Sequence, residues 1–168
     1  MPAGNTVLNA TIAADFVQFY CEKAAKIHEL LAPLSDEQLW IRPYPYGNTI
    51  GHLLLHLTGN LNYYIATEIA RTGYVRDRPL EFSDPTHHSK EHLLRNLEQA
   101  IGMVEAALNV QTENDWSAAY SGKGLEQAGD RFYVFLNCAS HLGHHTGQII
   151  YLCRELSLQR IGTAGGGI

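Results

Sequence analysis

The sequence has 168 residues, enough for one domain with a core of its own. Hydrophobic residues make up 45% and charged residues 17%, which excludes a disordered or fibrous chain. A net charge of -5 without any basic run argues against nucleic acid as a partner. Three cysteines at unrelated spacings predict free thiols. With no signal-like segment and no apolar stretch suited to a bilayer, we expect a cytoplasmic protein that does not enter membranes.

Four stretches show the spacing of apolar residues that is typical of amphipathic helices, and no strand pattern competes with them. The predicted helices run from about Thr11 to Ala32, from Asn48 or Thr49 to about Arg71, from Ser89 to about Val110, and from Asp130 to about Leu156. Between the first two helices, Ser35 and Gln38 have the pattern of a capping box that starts a short turn, 36–40. The predicted fold is therefore all-α, a four-helix bundle.

The connections between these helices differ in length and character. Residues 74–88 form a polar crossover between the second and third helices, long enough to run along the side of a bundle. Residues 116–129 form a loop, in which we expect a short hairpin around 121–124. We expect residues 1–160 to form a single domain and the Gly-rich residues 161–168 to form a flexible tail.

Two of the nine histidines lie one turn apart on the fourth helix. At about 100° per residue, His141 and His145 share a face with the apolar residues Val134 and Leu152, so both point into the bundle. Their i, i+4 spacing allows two imidazoles to bind one metal ion. A buried imidazole without partners costs about 1–3 kcal/mol, and either a metal ion or hydrogen bonds from protein or water would remove that cost.

The second helix offers two candidates for a third ligand, again four residues apart. His56 lies closer to the apolar stripe of this helix than His52 does. We therefore choose His56 as the ligand. His52 is then either a residue that supports the ligands or an exposed side chain.

The remaining histidines and the nearest cysteine fit ordinary roles. His87, His88 and His92 lie around the predicted start of the third helix and are expected to be exposed to solvent. His144 lies off the inward face of the fourth helix, as a surface residue or a support for the ligands. Cys138 lies one turn before the histidine pair and is a small buried hydrophobe or, alternatively, a thiolate ligand.

Two fragments together resemble the DinB-like superfamily of DNA-damage-inducible proteins. One is the segment His-Leu-Thr-Gly-Asn that begins at His56, and the other is the pattern from His141 through His145 to a Gly-Gln-Ile triplet. The similarity covers nearly the whole chain, including the crossover near residues 76–82. It implies a four-helix bundle in which His56, His141 and His145 hold one divalent metal ion, and it implies a homodimer.

The resemblance also implies a chemistry, because relatives with assigned reactions are transferases and isomerases that use low-molecular-weight thiols. Three imidazoles without a fourth protein ligand leave one position open for water or substrate. Zinc, nickel or iron bound there would lower the pKa of a coordinated thiol. We expect a small-molecule substrate to bind between the second and fourth helices, in a pocket lined by Asn60, Tyr63, Gln148 and Tyr151.

Two other hypotheses remain open at this point. The protein could be a non-catalytic metal-binding or stress-response protein, an all-α dimer whose site senses or stores the ion. It could also be an interaction module whose core histidines bind no metal. Metal content separates the last hypothesis from the others, and thiol-dependent turnover separates the first two.

Overall fold

A computed structural model describes residues 7–164, with side chains described as far as Leu158. Within this part of the chain there are six α-helices: α1 (Val7–Leu31), α2 (Ile50–Leu61), α3 (Leu80–Ser83), α4 (Lys90–Asn109), α5 (Glu113–Trp116) and α6 (Arg131–Ala164). A 3-10 helix, Glu37–Trp40, precedes α2, and a π-helix, Asn62–Thr67, follows it directly. The same residues contain no strand, so the predicted all-α class is confirmed.

The four long helices, α1, α2 with its π-helical extension, α4 and α6, form the bundle. Both α1 and α2 pack against α4 and α6. At one end of the bundle, Nζ of Lys90 at the start of α4 donates to the carbonyl of Leu31 at the end of α1 at 3.2 Å, so these helices are antiparallel. The Trp40 indole packs edge-on against His52 near the start of α2, and its Nε1 donates to the carbonyl of His88 at 3.1 Å. The helices α2 and α4 therefore start at the same end and run parallel.

Parallel neighbours need a long return connection, and the residues between the π-helix and α4 supply it. The predicted crossover is thus present, but it contains α3, which periodicity did not reveal because the helix has only four residues. Its first turn is stabilised by Asp77, whose Oδ1 accepts from the backbone N–H of Leu80 at 3.1 Å. The helix α3 packs against α2 and so brings its side chains to the middle of the bundle.

The first helix begins at Val7, four residues before the predicted Thr11, whereas the other predicted helix starts are confirmed by their capping bonds. Thr49 and Ser89 accept with their hydroxyls from backbone N–H groups three residues later, at 3.1 Å and 3.3 Å. The carboxylate of Asp130 accepts from the N–H of Tyr133 at 2.8 Å at the start of α6. Ser35 and Gln38 make the two reciprocal bonds of the predicted capping box.

The first and third long helices end at Leu31 and Asn109, within one residue of prediction, but the ends of the second and fourth differ. The second helix was expected to remain α-helical to Arg71, but it becomes π-helical after Leu61, with the N–H of Glu68 bonded to the carbonyl of Tyr63 at 3.1 Å. Positive φ angles of 61° at Arg71 and 78° at Gly73 then turn the chain into the crossover.

The last helix continues past the predicted end at Leu156 to Ala164, because no proline or glycine interrupts the chain directly after Leu156. Residues 161–164 of the predicted tail thus lie in α6, and residues 165–168 lie outside the described part of the chain. The prediction of a hairpin around residues 121–124 is wrong. A turn and one isolated bridge, between Ala119 and Asp130, replace it, because the loop instead bonds to the end of the second helix.

The core between the four helices is mainly aliphatic. Its largest fully buried side chains are Tyr20, Ile27, Leu31, Leu39, Ile50, Leu53, Leu54, Leu57, Leu61, Ile65, Leu93 and Phe135. Complete burial of one such aliphatic side chain stabilises the fold by about 1.5–3 kcal/mol. Among the helices of residues 7–164, none has the length and apolar character that a bilayer crossing needs.

Candidate metal centre

The structure brings the three predicted ligands together between α2 and α6. His56 lies in α2, and His141 and His145 lie one turn apart in α6. The Nε2 atom of His141 is 3.1 Å from Nε2 of His56 and 3.0 Å from Nε2 of His145. His56 is buried and the other two are partly buried. Among the described residues, these three histidines are the clustered His, Cys, Asp or Glu side chains that could hold a metal ion.

The distances between the ring nitrogens suit an ion bound by three imidazoles. A tetrahedral zinc ion with Zn–N bonds of about 2.0–2.1 Å separates its ligand nitrogens by about 3.3 Å. The observed separations of 3.0 Å and 3.1 Å are slightly shorter, so small ring rotations would admit such an ion. A set of three histidines also leaves the fourth position of a tetrahedral ion without a protein ligand.

The hydrogen bonds at the other ring nitrogens strengthen this assignment. Nδ1 of His56 lies 2.7 Å from a carboxylate oxygen of Glu81, and Nδ1 of His145 lies 2.7 Å from Oε1 of Gln148. Both Nδ1 atoms therefore carry the proton, and both Nε2 atoms present lone pairs. His141 can donate one proton to only one of these lone pairs. A cation between the three rings would satisfy all of them at once.

The protonation state of the cluster also suits metal binding. Burial, together with the neighbouring His145 and His56, lowers the pKa of His141 to about 3. Burial likewise lowers the pKa of His145, although its hydrogen bond to Gln148 opposes that shift. These rings are neutral at pH 7, which is the form that binds a metal ion. Nδ1 of His141 is buried and has no hydrogen-bond partner, unlike Nδ1 of the other two rings.

A buried ion pair from the crossover supports His56, and the sequence analysis missed its role. Arg76 donates from Nε to Oε1 of Glu81 at 2.6 Å and from Nη2 to Oε2 at 2.9 Å. The two side chains are only 6% and 7% exposed. Burial acts to raise the pKa of Glu81, but the hydrogen bonds from His56 and Arg76 outweigh it and hold that pKa below its usual value. The carboxylate of Glu81 is therefore ionised where it contacts the His56 ring.

Gly59 provides the room for this carboxylate. A Cβ atom at this position in α2 would collide with Oε1 of Glu81. The glycine one turn after His56 is therefore required by the close approach of the crossover. In the sequence, the glycine between His56 and Asn60 indicated that another part of the chain packs closely against α2, but it did not identify that part as Glu81.

The predicted pocket residues fall into two groups. Gln148 and Tyr151 line a cleft of about 450 Å³ beside the histidine cluster. Asn60 is buried in α2 with no partner for its Oδ1 atom, and Tyr63 lies in the π-helix with its ring centroid 5.1 Å from that of Tyr64. The structure thus brings Gln148 and Tyr151 together at the cleft and places Asn60 and Tyr63 elsewhere.

The alternative ligands lie outside the cluster. Nδ1 of His52 is 2.9 Å from the hydroxyl of Thr49. His144 is exposed, and its Nε2 lies 3.2 Å from the amide nitrogen of Gln148. Burial raises the pKa of the Cys138 thiol to about 12, so this cysteine is protonated at neutral pH. It behaves as the small buried hydrophobe of the first alternative rather than as a thiolate.

The histidines at the start of α4 are less exposed than predicted. His87 is exposed, with its ring stacked 4.9 Å from that of Trp40. His88 and His92 are partly buried, so the prediction is wrong for these two. Their rings stack on each other with centroids 4.7 Å apart, and Nε2 of His88 lies 3.1 Å from a carboxylate oxygen of Asp84. The contacts that reduce their exposure are local, because Asp84, His88 and His92 follow one another at intervals of four residues.

Comparisons with known proteins agree with this architecture. The family model of the DinB superfamily matches residues 22–149, a range that includes all three clustered histidines. The chain is similar in fold to a crystal structure described as a conserved protein from Enterococcus faecalis, with a TM-score of 0.71 and 16% sequence identity. The likeness covers 86% of this chain and 96% of that one. A comparison with curated proteins finds no match. Because the family model spans most of the sequence, the chain belongs to the DinB superfamily.

Proposed function

We propose that this protein is a divalent-metal-dependent enzyme that transfers a low-molecular-weight thiol to a small organic substrate. The observation that carries the proposal is the convergence of three imidazole nitrogens, in a cluster that contains no fourth ligand among the described side chains of residues 7–158. Three neutral protein ligands with an open position are typical of catalytic metal sites, whereas structural sites are usually closed by four.

Each residue around the cluster has a role in this proposal. His56, His141 and His145 hold the ion, which is zinc, nickel or iron because imidazole suits all three. Glu81 and Gln148 keep two of the rings in the tautomer whose Nε2 is free to bind. When bound, a divalent ion supplies the chemistry of lowering the pKa of a thiol at its open position, which makes a thiolate available at neutral pH.

The proposed reaction is a substitution that needs no oxidant or reductant. The thiol loses its proton to solvent, and its sulfur forms a bond to an electrophilic carbon of the substrate. A leaving group such as chloride departs from that carbon with the bonding electron pair. The family resemblance is what supports a thiol as the second substrate and a homodimer as the assembly.

Metal content and thiol-dependent turnover test the proposal together. We expect about one metal ion per chain after gentle purification, and we expect a His141→Ala, His145→Ala double variant to lose it. A His144→Ala variant is the matched control for metal content, because this exposed neighbour on the same helix is not in the cluster. The metal-loaded protein should turn over 1-chloro-2,4-dinitrobenzene only when glutathione or cysteine is added.

The negative outcomes separate the competing functions. A metal-loaded protein without turnover across a panel of small thiols would contradict the transferase and favour a metal-binding or stress-response role. Purified protein that takes up no divalent ion would contradict both functions and leave a helical interaction module.

A further inference from the structure

The cleft of about 450 Å³ lies between the segment that precedes α2 and one face of α6. Tyr44 and Tyr46 form one wall, Leu53 of α2 contributes to the cleft, and Gln148 and Tyr151 of α6 form another wall. A volume of this size suits a small organic molecule, because ligand pockets typically measure about 300–1,000 Å³.

The cleft adjoins the candidate metal centre on the Nδ1 side of His145. Gln148, which lines it, bonds to Nδ1 of His145 at 2.7 Å. His144 also lines it, and its ring centroid lies 5.0 Å from that of His145. Leu53 precedes His56 by less than one turn on α2. A molecule in the cleft would therefore lie next to the proposed ligands.

The lining of the cleft disfavours anionic ligands. None of its residues carries a formal charge, counting His144 as neutral: Tyr44, Tyr46, Gly47, Asn48, Leu53, His144, Gly147, Gln148, Tyr151 and Leu152. The charged group bonded to this lining is a carboxylate, since Oε2 of Glu155 accepts from the hydroxyl of Tyr44 at 3.3 Å. An anion in the cleft would find no cation among the lining residues and would lose part of its hydration there.

The same lining favours flat aromatic molecules. The rings of Tyr44 and Tyr46 stack with centroids 5.7 Å apart and planes inclined by 12°, so this wall of the cleft is aromatic. Tyr46 and Tyr151 are 75% and 69% exposed, which leaves their rings available for contact. An aromatic contact of this kind contributes about 0.5–1.5 kcal/mol beyond the area that it buries.

We propose that this cleft binds an uncharged aromatic group of the organic substrate and holds it beside the metal centre. The proposal rests on the proposed function only in naming the bound molecule as the substrate. The cleft itself is formed by protein side chains, so it binds the aromatic group with or without the ion.

Gly147 offers a way to close the cleft without disturbing the core. A Cβ atom added at this position would meet nothing within 4 Å, because it would project into the cleft. A Gly147→Leu variant should fill the space and leave the three histidines in place. Gly102 on α4 is the matched control, because it is exposed and a Cβ atom there also meets nothing within 4 Å.

The test uses two probes of similar ring size and different charge, 1-naphthol and naphthalene-1-sulfonate, titrated calorimetrically into metal-free full-length protein. We expect 1-naphthol to bind at least about tenfold more tightly than the sulfonate, a difference of about 1.4 kcal/mol. Gly147→Leu should weaken 1-naphthol binding at least about tenfold, and Gly102→Leu should leave it unchanged. Tyr151→Ser, a change at an exposed side chain, should weaken it about three- to tenfold.

Several results would overturn the proposal. They are no binding of 1-naphthol, equal binding of the sulfonate, or full binding by folded Gly147→Leu and Tyr151→Ser proteins. Binding that weakens as protein concentration rises, in step with dimer formation, would assign the cleft to a second copy of the chain. If thiol-dependent turnover is present while 1-naphthol does not bind, this inference fails and the proposed function stands. If 1-naphthol binds but the protein takes up no metal, the proposed function fails and the cleft stands.

Discussion

The carboxylate of Glu81 determines which nitrogen of His56 faces the other two histidines. Because Oε2 of Glu81 accepts a hydrogen bond of 2.7 Å from Nδ1–H, the opposite nitrogen, Nε2, is left with its lone pair. Carboxylates in this position orient histidine ligands and increase their basicity. Arg76 holds the carboxylate from its other side with two hydrogen bonds. The support of one ligand thus depends on two residues that a search for metal-binding motifs does not consider.

Replacing Glu81 by Gln should weaken metal binding about 10- to 100-fold. The amide has no charge, and its NH₂ group can face Nδ1 and so favour the wrong tautomer of His56. The measurement is a competition titration against a chromophoric chelator. Glu105→Gln is the control, because this glutamate is exposed on α4 and should leave the affinity unchanged.

A weaker metal affinity in Glu81→Gln could also come from a destabilised fold, and a second variant separates this cause from the wrong tautomer of His56. Glu81→Gln leaves Arg76 buried without its charged partner, which destabilises the fold by itself. A double variant that also changes Arg76 to Gln removes that charge and should recover part of the stability, but its metal affinity should stay low. Recovery of full affinity in the double variant would refute a positioning role for Glu81.

At the scale of secondary structure, the path of the crossover decides what surrounds the metal centre. The helices α2 and α4 run parallel, so the chain between them must return over the length of the bundle. It returns over α2, and α3 packs there against the turn that carries His56. Gly59 allows the close approach, because any side chain at this position would collide with Glu81.

We expect Gly59→Ala to lower both the free energy of unfolding and the metal affinity. The added methyl group displaces Glu81 and with it the bond to His56. Gly102→Ala on the exposed face of α4 is the contrasting control, and it should stabilise the helix by about 0.5–1 kcal/mol because alanine is the better helix former. Urea unfolding and metal titration measure the two effects. An unchanged metal affinity in Gly59→Ala would contradict the proposed link between α3 and the metal centre.

Helix starts were more predictable than helix ends. Thr49, Ser89 and Asp130 cap their helices as their residue types predict, because a cap depends on hydrogen bonds within one turn of chain. The π-helix after Leu61 escaped prediction, since it contains no proline or glycine to mark it. Its end contacts the loop before α6, where the hydroxyl of Tyr64 donates to the carbonyl of Gly124 at 3.2 Å.

For the molecule as a whole, the candidate metal centre joins two helices that are distant in the chain. His56 belongs to α2, and His141 and His145 belong to α6. The unfolded chain does not hold these three nitrogens together, so an ion that binds all three favours the folded state. Metal binding and folding stability should therefore be coupled.

Thermal unfolding measures this coupling. At a free zinc concentration of about 100 times the Kd, binding should stabilise the fold by about 2.7 kcal/mol. For a domain of this size we expect the Tm to rise by about 5–10 °C. The His141→Ala, His145→Ala variant should show no rise, and His144→Ala should show the full rise. An equal rise in the double variant would place the stabilising ion elsewhere and contradict the assigned ligands.

Apolar periodicity, helix caps and the i, i+4 histidine pair were sufficient to predict the all-α bundle and the clustering of His56, His141 and His145. These signals act within a few turns of helix. Inward-facing histidines on different helices of a four-helix bundle point into the same core, so they lie close to one another. The contact of Glu81 with His56 and the cleft beside Tyr44 depended instead on how the connections fold back over the helices. These contacts join residues that are distant in the chain, and periodicity carries no information about which side of the bundle a connection follows.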